Sequence, residues 1–120
     1  MKATHLILAI ALALGSTSAV PAANVSAAAP MPMDKMVAGA KTAADHQKLA
    51  SMYEAEAAKA RASAETHRKM AEAYRKAGGS WVEKLHFDQH CDGLVKSYTA
   101  AAEAYDALAK GEREMAKEMK

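Results

Sequence analysis

The residues best suited to chemistry are three histidines, one methionine and the single cysteine of the chain. In a helical hairpin that turns near residues 80 and 81, residue i lies opposite roughly residue 161 minus i. In that register, these side chains gather near the turn and offer a thiolate, a thioether and imidazoles. This donor set suits copper and, without the methionine, zinc. The predicted metal ligands are His67, Met70, His86, His90 and Cys91.

The spacing of two histidines supports this hypothesis. His86 and His90 are four residues apart, which on a continuous helix aligns both imidazoles on one face. Such pairs also arise by chance, and the chain lacks the paired CxxC or HExxH elements typical of zinc sites. The alternative is that both residues are exposed polar side chains and that His67 packs between the helices.

Two other interpretations of Cys91 remain open. An unpaired cysteine in an oxidising compartment often joins two subunits, which predicts an intermolecular Cys91 disulfide. An inert, partly buried thiol is the other interpretation. We do not expect an enzyme, because no Gly-rich turn, oxyanion donor or strand scaffold prepares Cys91 as a nucleophile, and no carboxylate pair lies on an apolar face.

Further methionines offer two weaker groupings. One is a thioether cluster beside two prolines, which could hold Cu(I) but is also common in linkers. It consists of Met31, Met33 and Met36. In the other, His46 lies opposite Met115 with Met119 one turn on, where methionine more commonly fills gaps in packing.

Capping signals define the two helices that position these residues. Thr42-Ala43-Ala44-Asp45 is a capping box in its acidic variant and predicts a helix over about 43–76. Gly78-Gly79 ends that helix. Ser80-Trp81-Val82-Glu83 is a second capping box and predicts a helix over about 81–118. The predicted fold is therefore all-α, an antiparallel helical hairpin over residues 42–120.

Each helix carries a narrow stripe at alternating three- and four-residue spacing, which predicts the seam between the helices. The first stripe is His46, Leu49, Tyr53, Ala57, Ala60, Ala64, His67, Ala71 and Tyr74. The second is His90, Leu94, Tyr98, Ala101, Tyr105, Leu108, Glu112, Met115 and Met119. Because the hydrophobic residues are largely alanine, the core is thin, and we expect a homodimer that forms a four-helix bundle.

The two helices also resemble each other in sequence. A shift of 45 residues places Leu49 on Leu94, Tyr53 on Tyr98 and Met70 on Met115. These matches exceed what two Ala-rich helices share by composition and indicate duplication of one helix. The repeat is imperfect where chemistry would matter, because Glu112 stands where His67 predicts a histidine.

The N-terminal residues predict export. Lys2 precedes an apolar run and then small polar residues, the pattern of a signal peptide over 1–22. Cleavage after Ala19 or Ala27 also fits the pattern. Residues 23–41 are rich in Ala, Pro and Met, and we predict a flexible arm there because its prolines interrupt a helix. The mature protein is expected in the periplasm or outside the cell.

The charge balance limits the partners of the chain. Sixteen basic residues face 14 acidic ones, a net charge of +2, and the two signs are interleaved, so nothing favours nucleic acid. The alanine-dominated stripes offer little area for insertion into a membrane. The expected partners are a second copy of the chain and a protein of unknown identity.

The helical region resembles short, exported, Ala-rich hairpin proteins of Gram-negative bacteria, a group without assigned function. The residues that carry the resemblance are Asp45-His46, the Leu49/Tyr53 stripe, His67-Arg68-Lys69-Met70-Ala71, His90-Cys91, Leu94 and Tyr98. The resemblance implies a fold and a compartment only. Our functional hypothesis is a non-catalytic periplasmic binding module that holds copper or zinc near its turn. The alternative is a structural or protein-interaction module without metal, including a Cys91-linked dimer.

Overall fold

The structure is a computed structural model that describes residues 31–119. The helices are α1 (Met33–Gly39), α2 (Ala43–Ala77), α3 (Ser80–Leu85) and α4 (Phe87–Glu118). The two long helices, α2 and α4, pack against each other along their length, and the described residues contain no strand. The predicted all-α helical hairpin is confirmed. The predicted signal peptide over 1–22 lies outside the described residues.

A capping box fixes the start of α2, as the sequence predicts. The backbone N–H of Asp45 donates to Thr42 Oγ1 at 3.2 Å, and the N–H of Thr42 donates to Asp45 Oδ2 at 3.0 Å. The N–H of Lys41 donates to the same carboxylate oxygen and is the largest cause that holds the pKa of Asp45 below its usual value. The cap therefore stabilises the fold above the usual carboxyl pKa, and this stabilisation is lost as the pH falls through the lowered value.

Two glycines and a short helix reverse the chain. Gly78 and Gly79 have φ angles of 60° and 93°, which glycine adopts at little cost. Gly79 is the N-cap of α3, and no side chain caps that helix, so the predicted capping box at Ser80 does not form. His86 follows α3 with a φ of 52°. The left-handed conformation of His86 divides the second predicted helix into α3 and α4.

The α2 side of the seam follows the predicted stripe. Its buried residues are His46, Leu49, Ala50, Tyr53, Ala57, Ala60, Ala64 and Ala71. Most of them are alanines, so the two backbones approach closely and little large apolar surface is buried. Within residues 31–119, no helix is both long enough and apolar enough to cross a membrane.

On α4 the predicted stripe is observed only in part. Tyr98, Tyr105 and Glu112 of that stripe contact α2, but a neighbouring row of small residues fills the buried positions. The buried residues are Cys91, Ala102, Ala109 and Ala116. The large apolar residues predicted for the seam remain at the surface, with Leu94 41%, Leu108 48% and Met115 45% exposed. The physical reason is size, since the row of small side chains allows α4 to lie closer to α2 than leucines would.

Polar and aromatic contacts add to the packing of α2 on α4. Exposed ion pairs join Arg61 to Asp106, Arg75 to Asp92 and Glu54 to Arg113. Each of them contributes about 1 kcal/mol or less, because water screens the charges. The rings of Tyr53 and Tyr105 stack across the seam with centroids 6.3 Å apart. Such stacking contributes about 0.5–1.5 kcal/mol beyond the area it buries.

Part of the predicted flexible arm is helical. Pro32 directly precedes α1, where a proline removes no helical hydrogen bond. Met33 and Met36 are half-buried and, with Ala40, pack against the hairpin. Their contact surface is the cluster of Leu49, Tyr53 and Ala109, with Tyr105 beside it. The arm therefore contributes two thioethers to the core at the open end of the hairpin, the end opposite the turn.

The two predicted capping boxes provide a matched test of the cap. Replacing Thr42 by Ala removes an observed N-cap and should lower the free energy of unfolding by about 1 kcal/mol. Ser80→Ala is the control, because the Ser80 side chain caps no helix. This substitution should change the free energy of unfolding by only about a few tenths of a kcal/mol. Urea unfolding followed by circular dichroism measures both, and equal losses would contradict the assignment.

Candidate functional site

The residues around the turn do not lie on one continuous helix. His86 is the N-cap of α4 in a left-handed conformation, and its Nδ1 lies 3.4 Å from the side-chain nitrogen of Gln89. His90 lies in the first turns of α4 and is exposed. The predicted alignment of both imidazoles on one uninterrupted helix is therefore not observed, because the chain changes direction at His86.

His67 and Cys91 lie on the α2–α4 interface rather than in water. The imidazole of His67 stacks on Tyr98 of α4, with ring centroids 5.5 Å apart and planes 11° from parallel. Its Nδ1 is buried and has no hydrogen-bond partner. Cys91 is a buried free thiol, 5% exposed. The interface thus holds a free imidazole nitrogen and a free thiol among the predicted ligands.

Met70 lies apart from these interface residues. It is 39% exposed and lines a shallow groove near the turn with Ala73, Tyr74 and Ala77. Beside this groove, the ring of Tyr74 stacks on Phe87 with centroids 5.2 Å apart. Met70 therefore belongs to an apolar surface, and its thioether can be reached from solvent.

The predicted ligands do not converge in a conventional metal centre. In residues 31–119, no group of three or more His, Cys, Asp or Glu side chains is arranged to hold a metal ion. His67 and Cys91 are at the interface, while His86, His90 and Met70 are exposed. Metal binding at the turn therefore stays a prediction. A metal site there would have to use fewer than three of these side chains, or include methionine thioethers.

Sequence reasoning missed a buried polar pair at the open end of the hairpin. His46 Nδ1 lies 2.5 Å from Glu112 Oε2, and the two side chains are 6% and 14% exposed. His46 Nε2 is buried and without a hydrogen-bond partner. Both residues stand in the predicted stripes, but the predicted register placed His46 opposite Met115. The observed pairing differs from that register by three residues, slightly less than one helical turn.

The outer side of α4 forms a second unassigned feature. Ala104, Ala107 and Gly111 line one groove with Leu108 and Met115; we call this surface the α4 groove. Glu112 lies at its edge, and its floor consists of small side chains. Leu108 and Met115 are seven residues apart, so they project from the same side of the helix, as heptad residues do. The α4 groove thus has the form of a helix-packing surface.

No protein-family model, curated protein or solved structure matches the chain. The resemblance to exported Ala-rich hairpin proteins therefore stays a prediction.

The left-handed conformation of His86 gives a direct prediction about the turn. A non-glycine residue in this region costs about 1–2 kcal/mol, so His86→Gly should leave stability unchanged or raise it. The matched control is His90→Gly, which places glycine inside α4 and should lower stability by about 1 kcal/mol. Urea unfolding measures both variants. A larger loss of stability for His86→Gly than for His90→Gly would contradict the left-handed conformation of His86.

Proposed function

We propose that the chain is a non-catalytic helical hairpin, exported to the periplasm, that acts as an interaction module by pairing with a second copy through the α4 groove. The observation that carries the proposal is the exposure of large apolar side chains on α4 while small ones fill the seam. Leu94, Leu108 and Met115 are between 41% and 48% exposed. An isolated hairpin leaves this surface in water, whereas a four-helix bundle buries it.

A second copy suits the groove better than an unrelated partner. The small floor of the groove allows a helix backbone to approach closely, which is the same packing that joins α2 to α4. The groove itself carries one charged residue, Glu112, so it has no charge pattern that would select an acidic or basic partner. Two copies in antiparallel contact would place Leu108 of each against small residues of the other.

An internal repeat of 45 residues fits this proposal and is part of it. The repeat-related pairs that support a duplicated helix are Leu49 with Leu94, Tyr53 with Tyr98 and Met70 with Met115. Duplication would give each copy two similar faces for assembly.

The proposed dimer does not require a disulfide. Cys91 is 5% exposed, so a bridge between two copies would need α4 to separate from α2. We expect the two copies to associate through apolar contacts, and reductant to leave the dimer intact. A dimer that dissociates in reductant would instead favour the Cys91 bridge.

The α4 groove can be tested by placing a charge in it. Leu108→Lys puts an ammonium into the buried contact and should convert the dimer into a monomer in sedimentation velocity, with the helical circular dichroism unchanged. Ala55→Lys is the matched control, because Ala55 is exposed on α2 and its repeat equivalent, Ala100, does not line the groove, so this variant should remain dimeric. A wild-type chain that sediments as a monomer at tens of micromolar would overturn the proposal.

A second candidate function is binding of a soft metal near the turn. The observation that favours it is the free Nδ1 of His67 on the interface that also buries the Cys91 thiol. A thiolate and an imidazole are ligands for both copper and zinc. In this hypothesis, exposed His90 and Met70 would complete the site after side-chain rotation.

Metal uptake tests this second candidate. Protein purified from its own host should carry, or take up, one equivalent of Cu(I) or Zn(II) and lose it in Cys91→Ala and His90→Ala. Lys96→Ala is the control, since this exposed residue of α4 has no metal-binding role. Native mass spectrometry reports the bound metal and the oligomer together. Uptake that is unchanged in both ligand variants would exclude the turn as the site.

A further inference from the structure

We propose that His46 is the imidazole ligand of a Cu(I) site at the open end of the hairpin, completed by the thioethers of Met33 and Met36. This site is separate from the predicted ligands at the turn, and it does not depend on dimerisation. Three features support it: the orientation of the imidazole, its unpartnered nitrogen and the way α1 packs.

The Glu112 carboxylate orients the imidazole of His46. An ionised carboxylate can only accept hydrogen bonds, so a hydrogen bond across this 2.5 Å contact uses the Nδ1–H of His46. In the neutral imidazole of that tautomer, the lone pair is on Nε2. A histidine that donates one ring N–H to a carboxylate and presents the other nitrogen as a ligand is the usual arrangement of metal-binding histidines. Glu112 thus prepares His46 as a ligand.

The unpartnered nitrogen needs an explanation. His46 is 4% exposed, and its Nε2 is buried without a hydrogen bond. Leaving a buried polar atom unsatisfied costs about 1–3 kcal/mol. Most of the other buried residues in the seam are alanines, so packing alone does not require a histidine here. A bound metal ion would satisfy Nε2 and account for the polar pair.

The packing of α1 brings thioethers to the same end of the hairpin. Met33 and Met36 pack against the cluster that contains Leu49, which lies one turn after His46 on the buried face of α2. They are the half-buried residues of α1, whereas Val37 of the same helix is 47% exposed. Met33 and Met36 therefore pack against the hairpin, whereas Val37 is exposed to solvent.

The donor types select the metal. In the part of the chain that the structure describes, no three His, Cys, Asp or Glu side chains form a metal-binding group, and the further donors that we assign beside His46 are the thioethers of Met33 and Met36. Methionine thioethers bind Cu(I) well and are poor ligands for Zn(II). The site is therefore expected to take Cu(I) and to discriminate against Zn(II).

The main test replaces the thioethers without disturbing the packing. Met33→Leu with Met36→Leu conserves volume, which cores tolerate well, and should weaken Cu(I) binding at least about tenfold in competition with a chromophoric Cu(I) chelator under reducing conditions. Met52→Leu is the matched control, because Met52 is also half-buried on this hairpin and should bind as the wild type does. The full chain is used throughout.

Two further measurements separate this site from the turn. The ¹⁵N resonance of His46 Nε2 should shift on addition of one equivalent of Cu(I), and Glu112→Gln should weaken binding by about 10–100-fold, as loss of an outer-shell partner does. Cys91→Ser should leave the affinity unchanged. The proposal is overturned if the double leucine variant binds Cu(I) like the wild type, if the wild type binds none, or if Cys91→Ser abolishes binding.

Discussion

Close packing of α2 on α4 through alanine is the constraint on which the rest of the structure depends. Small side chains let the two backbones approach, but each buries little apolar area, and burial stabilises by only about 25 cal/mol per Å². Stability must therefore come from many modest contacts along two long helices. The cross-helix ion pairs, the stacked Tyr53 and Tyr105 rings and the capped start of α2 are contacts of this kind.

The same constraint explains where the larger side chains lie. A leucine in the seam would push the helices apart, so Leu94 and Leu108 are displaced to the outer side of α4. At the open end, the arm covers Leu49 and Tyr53 with methionines, whose unbranched side chains adapt to an irregular surface. The features that we connect with function, the α4 groove and the methionine-covered end, are thus direct consequences of an alanine seam.

The narrow seam between α2 and α4 contains a few polar residues. His46 and Glu112 form one polar pair within it, and His67 and Cys91 are polar residues nearer the turn. Each of the two histidines has a buried ring nitrogen without a partner. In a larger core such atoms would be paired or replaced by apolar groups. These unpartnered nitrogens make each end of the hairpin a candidate ligand site.

The sequence by itself determined the two long helices, the start of α2, the glycine turn and the buried face of α2, because these depend on local capping, backbone freedom and spacing. It did not determine which face of α4 packs inward, and the predicted stripe placed the exposed Leu94 and Leu108 in the seam. Two adjacent stripes, one through Leu94 and Leu108 and one through Ala102 and Ala109, are both compatible with helical spacing. Only contact with α2 decides between them, since the smaller stripe permits the closer approach.

Tertiary structure alone also decided the cross-helix register and hence the functional candidates. A shift of three residues separates the predicted partner of His46, Met115, from the observed one, Glu112, and local spacing cannot resolve a shift of this size. The docking of α1 and the break at His86 likewise depend on long-range packing and backbone strain. Residue types and helical spacing therefore predicted which side chains could donate to a metal ion. Which of these side chains contact each other depends on how closely the alanine faces of α2 and α4 pack.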